Sequence, residues 1–175
     1  MTSTERIEDE QTARVLTYAG LVLVGYELVK GMIVGPIKAF YADVTFGPGM
    51  PFKSYEEDVR SRHANEFEAC LLYLRDFMKA IDSKDVLTIQ AFRKHRNDLA
   101  HDLASRLSLN IEEFKPLLEE VNRTLFKLSS YRAYMENGAD PAFKGVDWER
   151  VRGHEYLLFE KVLDSIKLLG LEQLG

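Results

Sequence analysis

The chain has 175 residues, of which 46% are hydrophobic and 29% are charged. This composition is ordinary for a soluble globular protein, and the length is sufficient to bury a sizeable core. The net charge of -5 argues against a general nucleic-acid coat protein, because affinity for phosphates comes mainly from Lys and Arg, although a local basic patch is still compatible with RNA binding. The single cysteine, Cys70, excludes an internal disulfide framework and fits a reducing cytosol.

The apolar stretch at residues 15–37 requires a membrane test. Glu27 and Lys30 interrupt it, and its uncharged part, residues 15–26, is shorter than the roughly 20 residues that a membrane span needs. The stretch also lacks the basic start and the small-residue cleavage site of a signal peptide. We therefore interpret it as a largely buried core helix of a cytoplasmic protein that has no membrane segment.

Helical periodicity and capping signals predict five helices, and no stretch shows the alternation of a strand. The first helix is predicted at about residues 5–34, because Gly35 and Pro36 follow it as stop signals. A loop rich in glycine and proline comes next. The second helix begins at Ser54, where Glu57 three residues later completes a capping-box pattern.

The second helix is predicted to continue up to a short break, "DSKD", at residues 82–85. The third helix follows and carries apolar residues at helical spacing over 89–107. The fourth covers about 110–135, and Pro116 lies either inside it or at a restart close to its first turn. The fifth covers about 147–169. Short connections between long amphipathic helices favour antiparallel neighbours, so we expect an all-α, up-and-down bundle.

The domain organisation follows from these elements. We expect residues 1–175 to form a single helical domain, with the core of the bundle at about 5–135 and a C-terminal helix at about 147–169. We find no internal repeat and no low-complexity tract that would divide the chain.

The stretch "FRKHRNDLAHDL", residues 92–103, concentrates polar side chains on a helix that should face the core. Successive helical residues rotate by about 100°, and on this wheel Arg96 lies in the middle of the apolar stripe. Asn97 and His101 are four residues apart and lie on the same side of the helix, next to the apolar stripe. The stripe around Arg96 consists of Ile89, Phe92, Leu99, Ala100, Leu103 and Leu107.

A guanidinium in such a position is costly to bury unless a carboxylate, a second helix or a ligand phosphate satisfies it. One interpretation is a cleft or an interface along this face, and a two-fold axis would bring the Arg of one copy close to the His of the other. The other interpretation is structural. Arg96 would then pair with Glu27 or Glu66 and lock the bundle, while His101 and Asp102 would lie on a solvated face.

The segment "HRNDLAHDL" resembles the signature of the HEPN family, the higher-eukaryote and prokaryote nucleotide-binding domains. That signature is an Arg, usually a polar residue, and then a His, and Arg96, Asn97 and His101 match it here with four residues between the Arg and the His. HEPN domains are small all-α bundles with a long apolar first helix, and "GYELVKGMI", residues 25–33, is similar to that helix. The architectural resemblance covers residues 10–135.

This resemblance implies a metal-independent endoribonuclease, often the toxin of a defence or toxin–antitoxin system, that acts on RNA as a homodimer. It implies that His101 transfers protons, that Arg96 holds the scissile phosphate, and that Asn97 orients His101 or the phosphate. The product would carry a 2′,3′-cyclic phosphate, no metal or other cofactor would be required, and an antitoxin protein would be a possible partner. Other HEPN proteins lack nuclease activity and bind RNA, a nucleotide or a partner protein, which is the alternative function.

One residue departs from the family pattern. A toxin branch has a Tyr two residues after the His, where this chain has Leu103, so control by nucleotide addition at that position is not expected. Metal chemistry has little support, because His95 and His101 point to different sides of the helix and no His-Glu-x-x-His or paired-Cys pattern occurs. The basic cluster at residues 93–96 is the best local patch for nucleic acid, although ordinary solvated charge is the better explanation of Arg93 and Lys94.

Overall fold

The computed structural model describes residues 3–171, and the side chains of 9–170. This part of the chain contains six α-helices, several short 3₁₀ turns and no strand, which confirms the all-α prediction. The helices are α1 (Ser3–Asp43), α2 (Tyr55–Asp58), α3 (Glu66–Asp76), α4 (Ser83–Asp102), α5 (Lys115–Asn137) and α6 (His154–Leu171).

Helix α1 is longer than predicted, because it passes through Gly35 and Pro36 and ends only at Asp43. The predicted end at residue 34 is therefore wrong. An interior proline costs about 3 kcal/mol, since it removes one backbone hydrogen bond and crowds the preceding turn. Contacts beyond the proline offset this cost: Ile37 is buried, and the Tyr41 hydroxyl donates a hydrogen bond of 2.8 Å to a carboxylate oxygen of Asp58.

The second predicted helix consists of two helices, α2 and α3, so the prediction of one continuous helix is wrong, and the described residues form six helices where about five were predicted. Ser54 does cap α2, since its hydroxyl accepts the backbone N–H of Glu57 at 3.2 Å. The helix stops after one turn, where Asp58 turns inward and accepts the backbone N–H of Lys53 at 2.7 Å. A new cap, Asn65, then starts α3 by accepting the N–H of Glu68.

The predicted break before α4 is confirmed, and its cause is a complete capping box. The Asp82 side chain accepts the N–H of Asp85, and the Asp85 side chain accepts the N–H of Asp82, both at 2.9 Å. The other end of α4 was predicted too far along the chain. The helix ends at Asp102, and a 3₁₀ turn, Leu103–Arg106, replaces its predicted last turn.

The last two helices also begin later than predicted. Asn110 caps a 3₁₀ turn, Ile111–Phe114, and α5 starts only at Lys115, with Pro116 in its first turn. Of the two alternatives for Pro116, the restart is therefore correct. Residues 147–153, predicted as helix, form a 3₁₀ turn and an extended segment before α6.

Helices α1 and α4 pack against each other and run in opposite directions. The hydroxyl of Tyr18 in α1 lies 2.7 Å from the imidazole of His95 in α4. Further along α1, the ring of Tyr26 meets Phe92, which precedes His95 in α4. Because the contact order reverses, α1 and α4 are antiparallel.

Helix α1 forms the centre of the bundle and contacts α3, α4, α5 and α6. Its stretch Asp9–Asp43 is long and apolar enough to cross a membrane by length and composition alone, a test that core helices of soluble proteins also pass. The hydrophobic core includes buried side chains of α6. The largest fully buried side chains are Tyr18, Tyr73, Phe92, Phe159, Ile33, Leu71, Ile89, Leu99 and Leu125.

Candidate functional site around helix α4

Arg96 lies at the boundary between the core and solvent, with 29% of its side chain exposed. Its guanidinium carbon is 5.3 Å from the centre of the Tyr26 ring, and its Nη2 atom is 3.6 Å from Oε1 of Glu27. Glu27 is therefore the partner, of the two glutamates that the sequence suggested, because Glu66 pairs with Lys38 at 2.9 Å. Helix α1 thus holds Arg96 through a ring contact and an ion pair.

The ion pair between Arg96 and Glu27 does not exclude solvent from the guanidinium. The Glu27 side chain is 59% exposed, so water screens the ion pair and its net contribution is about 1 kcal/mol or less. The Nε atom of Arg96 is buried and has no hydrogen-bond partner among the described residues. The exposed part of the guanidinium can still donate hydrogen bonds to an anionic ligand, whereas the buried Nε cannot reach one.

Asn97 is the direct neighbour of this guanidinium. Its Oδ1 atom accepts a hydrogen bond of 3.1 Å from Nη1 of Arg96, and its side chain is half-buried. The bond restricts the rotation of Arg96 and leaves the amide nitrogen of Asn97 as a donor. The structure therefore brings two of the three predicted site residues into contact.

His101 lies apart from this pair, in the last turn of α4. Its side chain is exposed, and within the described part of the chain it makes no hydrogen bond or ion pair. Arg96 and His101 are therefore not joined within one chain, as the helical wheel already indicated. Each is nevertheless accessible to a ligand from solvent.

His95 is a residue that the sequence analysis assigned to the basic cluster, and the structure places it in the core. It is only 4% exposed, its ring stacks on Phe114 with centroids 3.8 Å apart, and its Nε2 atom is bonded to the Tyr18 hydroxyl. Burial lowers the pKa of His95 to about 4, so the imidazole is neutral at pH 7. The signal for this was its spacing, three residues after Phe92 and four before Leu99.

The remaining members of the basic cluster are paired with carboxylates. Nη1 of Arg93 is 2.7 Å from Oε1 of Glu68, and Nζ of Lys94 is 3.2 Å from Oδ2 of Asp98. A third cation, Arg106, reaches the same Asp98 oxygen at 3.8 Å. The predicted basic patch is therefore largely neutralised, and Arg96 is its least strongly paired member.

Comparison with known proteins returns no relative. No family model, no curated protein and no solved structure matches the chain. Among the residues that the structure describes, no group of three or more His, Cys, Asp or Glu side chains is arranged to hold a metal ion.

Proposed function

We propose that this chain is a HEPN-like endoribonuclease that cleaves RNA without a metal ion. Arg96, Asn97 and His101 are its functional side chains. The observation that carries the proposal is that a partly exposed guanidinium, an amide bonded to it and an unpaired imidazole all lie on the C-terminal half of one helix. Cleavage of a phosphodiester needs a cationic group that binds the phosphate oxygens, here Arg96, and a group that transfers protons, here His101.

The chemistry assigns a step to each group. A base removes the proton of the ribose 2′-hydroxyl, the resulting oxygen attacks phosphorus, and the bond from phosphorus to the 5′-oxygen breaks. An acid then protonates that 5′-oxygen, which leaves a 2′,3′-cyclic phosphate and a 5′-hydroxyl. His101 performs proton transfer, and Arg96 offsets the charge that develops on the phosphate oxygens. One imidazole cannot be base and acid at the same moment, so a second copy of the chain would supply the second His101.

The outward side of α1 is a surface on which a second copy would pack. We define the outer α1 face by Leu16, Gly20, Val24 and Gly31. Leu16 and Val24 are 47% and 54% exposed, and apart from the adjoining residues and backbone of α1 itself no atom lies within 4 Å of a Cβ built on either glycine. An apolar helix face with small residues permits close approach of another helix. Glu27, the partner of Arg96, belongs to the same side of α1, so pairing here would bring the two sites together.

Purified protein and mixed-sequence RNA in excess chelator test the chemistry. We expect the wild type to release fragments with cyclic-phosphate ends, and His101→Ala to lower the rate by at least about 100-fold, because general acid–base catalysis supplies about that factor. Arg96→Ala should lower the rate without unfolding the protein. The matched control is His154→Ala, which removes an exposed histidine from α6 and should cleave at the wild-type rate. Equal cleavage by wild type and His101→Ala would refute the assignment.

An added cysteine tests whether two copies pack through the outer α1 face. Gly20→Cys introduces a thiol at the centre of the outer α1 face, where a side chain has room. Under mild oxidation we expect a disulfide-linked dimer from this variant. Leu87→Cys, at a 65% exposed position near the start of α4, is the control and should stay monomeric. Cys70 is buried and should not react in either protein.

The alternative is a non-catalytic HEPN-like module that binds RNA, a nucleotide or a partner protein. The ion pairs of Arg93, Lys94 and Arg96 favour the partner-protein form of this alternative, because they reduce the positive potential that RNA or a nucleotide needs along α4. Binding of RNA without release of fragments, unchanged in His101→Ala, would select this function. A cytoplasmic toxin restrained by an antitoxin follows from the same resemblance, and growth arrest on expression of the wild type but not of His101→Ala would test it.

A further inference from the structure

A cavity of about 590 Å³ lies among α1, α3, α5 and α6. Its wall in α1 runs from Met32 to Phe40, beyond the segment of α1 that contacts Arg96. None of Arg96, Asn97 and His101 lines it. Its volume is within the range of pockets that hold small molecules, which is roughly 300 to 1,000 Å³. The cavity is therefore a second candidate site, separate from the proposed nuclease site.

The walls of the cavity are suited to bind the apolar part of a ligand, and they can adapt to different shapes. Three of the five methionines in the chain, Met32, Met78 and Met135, contribute to them. Methionine side chains are flexible and polarizable, so they adapt to different apolar ligands. Two polar groups of the wall are already bonded to the protein: the Tyr131 hydroxyl donates to the carbonyl of Met78 at 3.0 Å, and Ser129 Oγ accepts the N–H of Gly153 at 2.7 Å. The interior therefore gives little recognition to a polar ligand.

The charged part of the lining is a triad of Arg132, Glu136 and Glu155. Nε of Arg132 is 2.7 Å from Oε1 of Glu136, and its Nη1 is 2.9 Å from Oε2 of Glu155. Two carboxylates against one guanidinium leave one net negative charge. Among the described residues the second oxygen of each carboxylate has no hydrogen-bond donor, and the two side chains are 55% and 48% exposed.

We propose that this cavity binds a small amphipathic amine, with an alkyl or aromatic tail among the methionines and a primary ammonium group on the free oxygens of Glu136 and Glu155. An ammonium has three donors and no acceptor, so it complements carboxylate oxygens that lack donors. A carboxylate or phosphate head would instead compete with both glutamates for Arg132, which disfavours anionic amphiphiles. The inference does not depend on RNA cleavage.

Isothermal titration with octylamine, octanol and octanoate, each below its micellar concentration, tests the proposal. We expect octylamine to bind more tightly than octanol and at least about ten times more tightly than octanoate. Lengthening the amine from hexyl to octyl should tighten binding by about fourfold for each methylene that enters the cavity. The Glu136→Gln, Glu155→Gln double variant should weaken octylamine binding to the level of octanol and leave octanol binding unchanged.

Glu149→Gln is the matched control, because it removes an exposed carboxylate that does not line the cavity. It should bind octylamine as the wild type does, and all variants should retain the wild-type melting transition. Octanoate binding as tightly as octylamine would overturn the proposal. Equal octylamine affinity in the double glutamine variant would place the amine elsewhere, and no heat with any of the three probes would show that the cavity takes no such ligand.

Discussion

Acid should destabilise this protein through His95, and the variant His95→Gln should remove that effect. The imidazole of His95 is 4% exposed and is enclosed by Tyr18 and Phe114, so a protonated ring in the folded state would be a buried cation. Glutamine has a side chain of similar length that ends in polar atoms, so it can still form a hydrogen bond with Tyr18. It does not titrate, so it separates the loss of a contact from the effect of protonation.

The direction in which pH changes the unfolding free energy follows from the pKa values of His95 in the folded and the unfolded chain. Burial lowers the pKa of His95 from 6.5 to about 4, so the unfolded chain takes up a proton before the folded one as pH falls. The stabilisation that depends on neutral His95 is therefore complete above pH 6.5 and is lost as pH falls from 6.5 towards 4. At about 1.4 kcal/mol for each pKa unit, the loss at pH 4.5 is about 2.5 kcal/mol.

Urea denaturation of the wild type and of His95→Gln, between pH 7.5 and pH 4.5, measures this effect. Carboxylates with lowered pKa values, such as Glu66 beside Lys38, also lose stability in acid, but they do so in both proteins. The difference in unfolding free energy between wild type and variant should therefore shrink by about 2.5 kcal/mol over this range. His154→Gln, at an exposed histidine that makes no hydrogen bond among the described residues, is the control and should follow the wild type. A difference that stays constant with pH would refute a buried neutral His95.

Two further predictions concern helix ends and packing. Asp82→Ala removes the cap of α4 and should lower the unfolding free energy by about 1 kcal/mol in urea denaturation, while Asp140→Ala, which caps only a three-residue 3₁₀ turn, should lower it by less. At Gly25 an added Cβ would lie 3.5 Å from Val162 and 3.6 Å from Phe159, so Ala should fit within about 1 kcal/mol of the wild type, whereas Leu should cost about 1 to 3 kcal/mol by overpacking. Equal thermal stability of the two Gly25 variants would contradict the close packing of α1 on α6.

The sequence by itself determined the fold class and several helix starts, because those depend on groups that are neighbours along the chain. Asp82 and Asp85 are three residues apart and complete their own capping box. Ser54 likewise reaches the N–H of Glu57 within a single turn. The all-α pattern of the core follows from helical periodicity, which needs no knowledge of the partner helix. Arg96, Asn97 and His101 could also be predicted from the sequence, because they lie within six consecutive residues of one helix.

Tertiary structure decided the features that depend on distant partners. Helix α1 continues past Pro36 because Ile37 and Tyr41 gain burial and a hydrogen bond from later parts of the chain. His95 is a neutral core residue because Tyr18, 77 positions away, and Phe114 enclose it. The choice of Glu27 as the partner of Arg96 was likewise settled by how α1 and α4 cross. Local signals set where α2 and α4 begin, but contacts between helices set how far α1 extends, which polar side chains are buried and where a cavity remains.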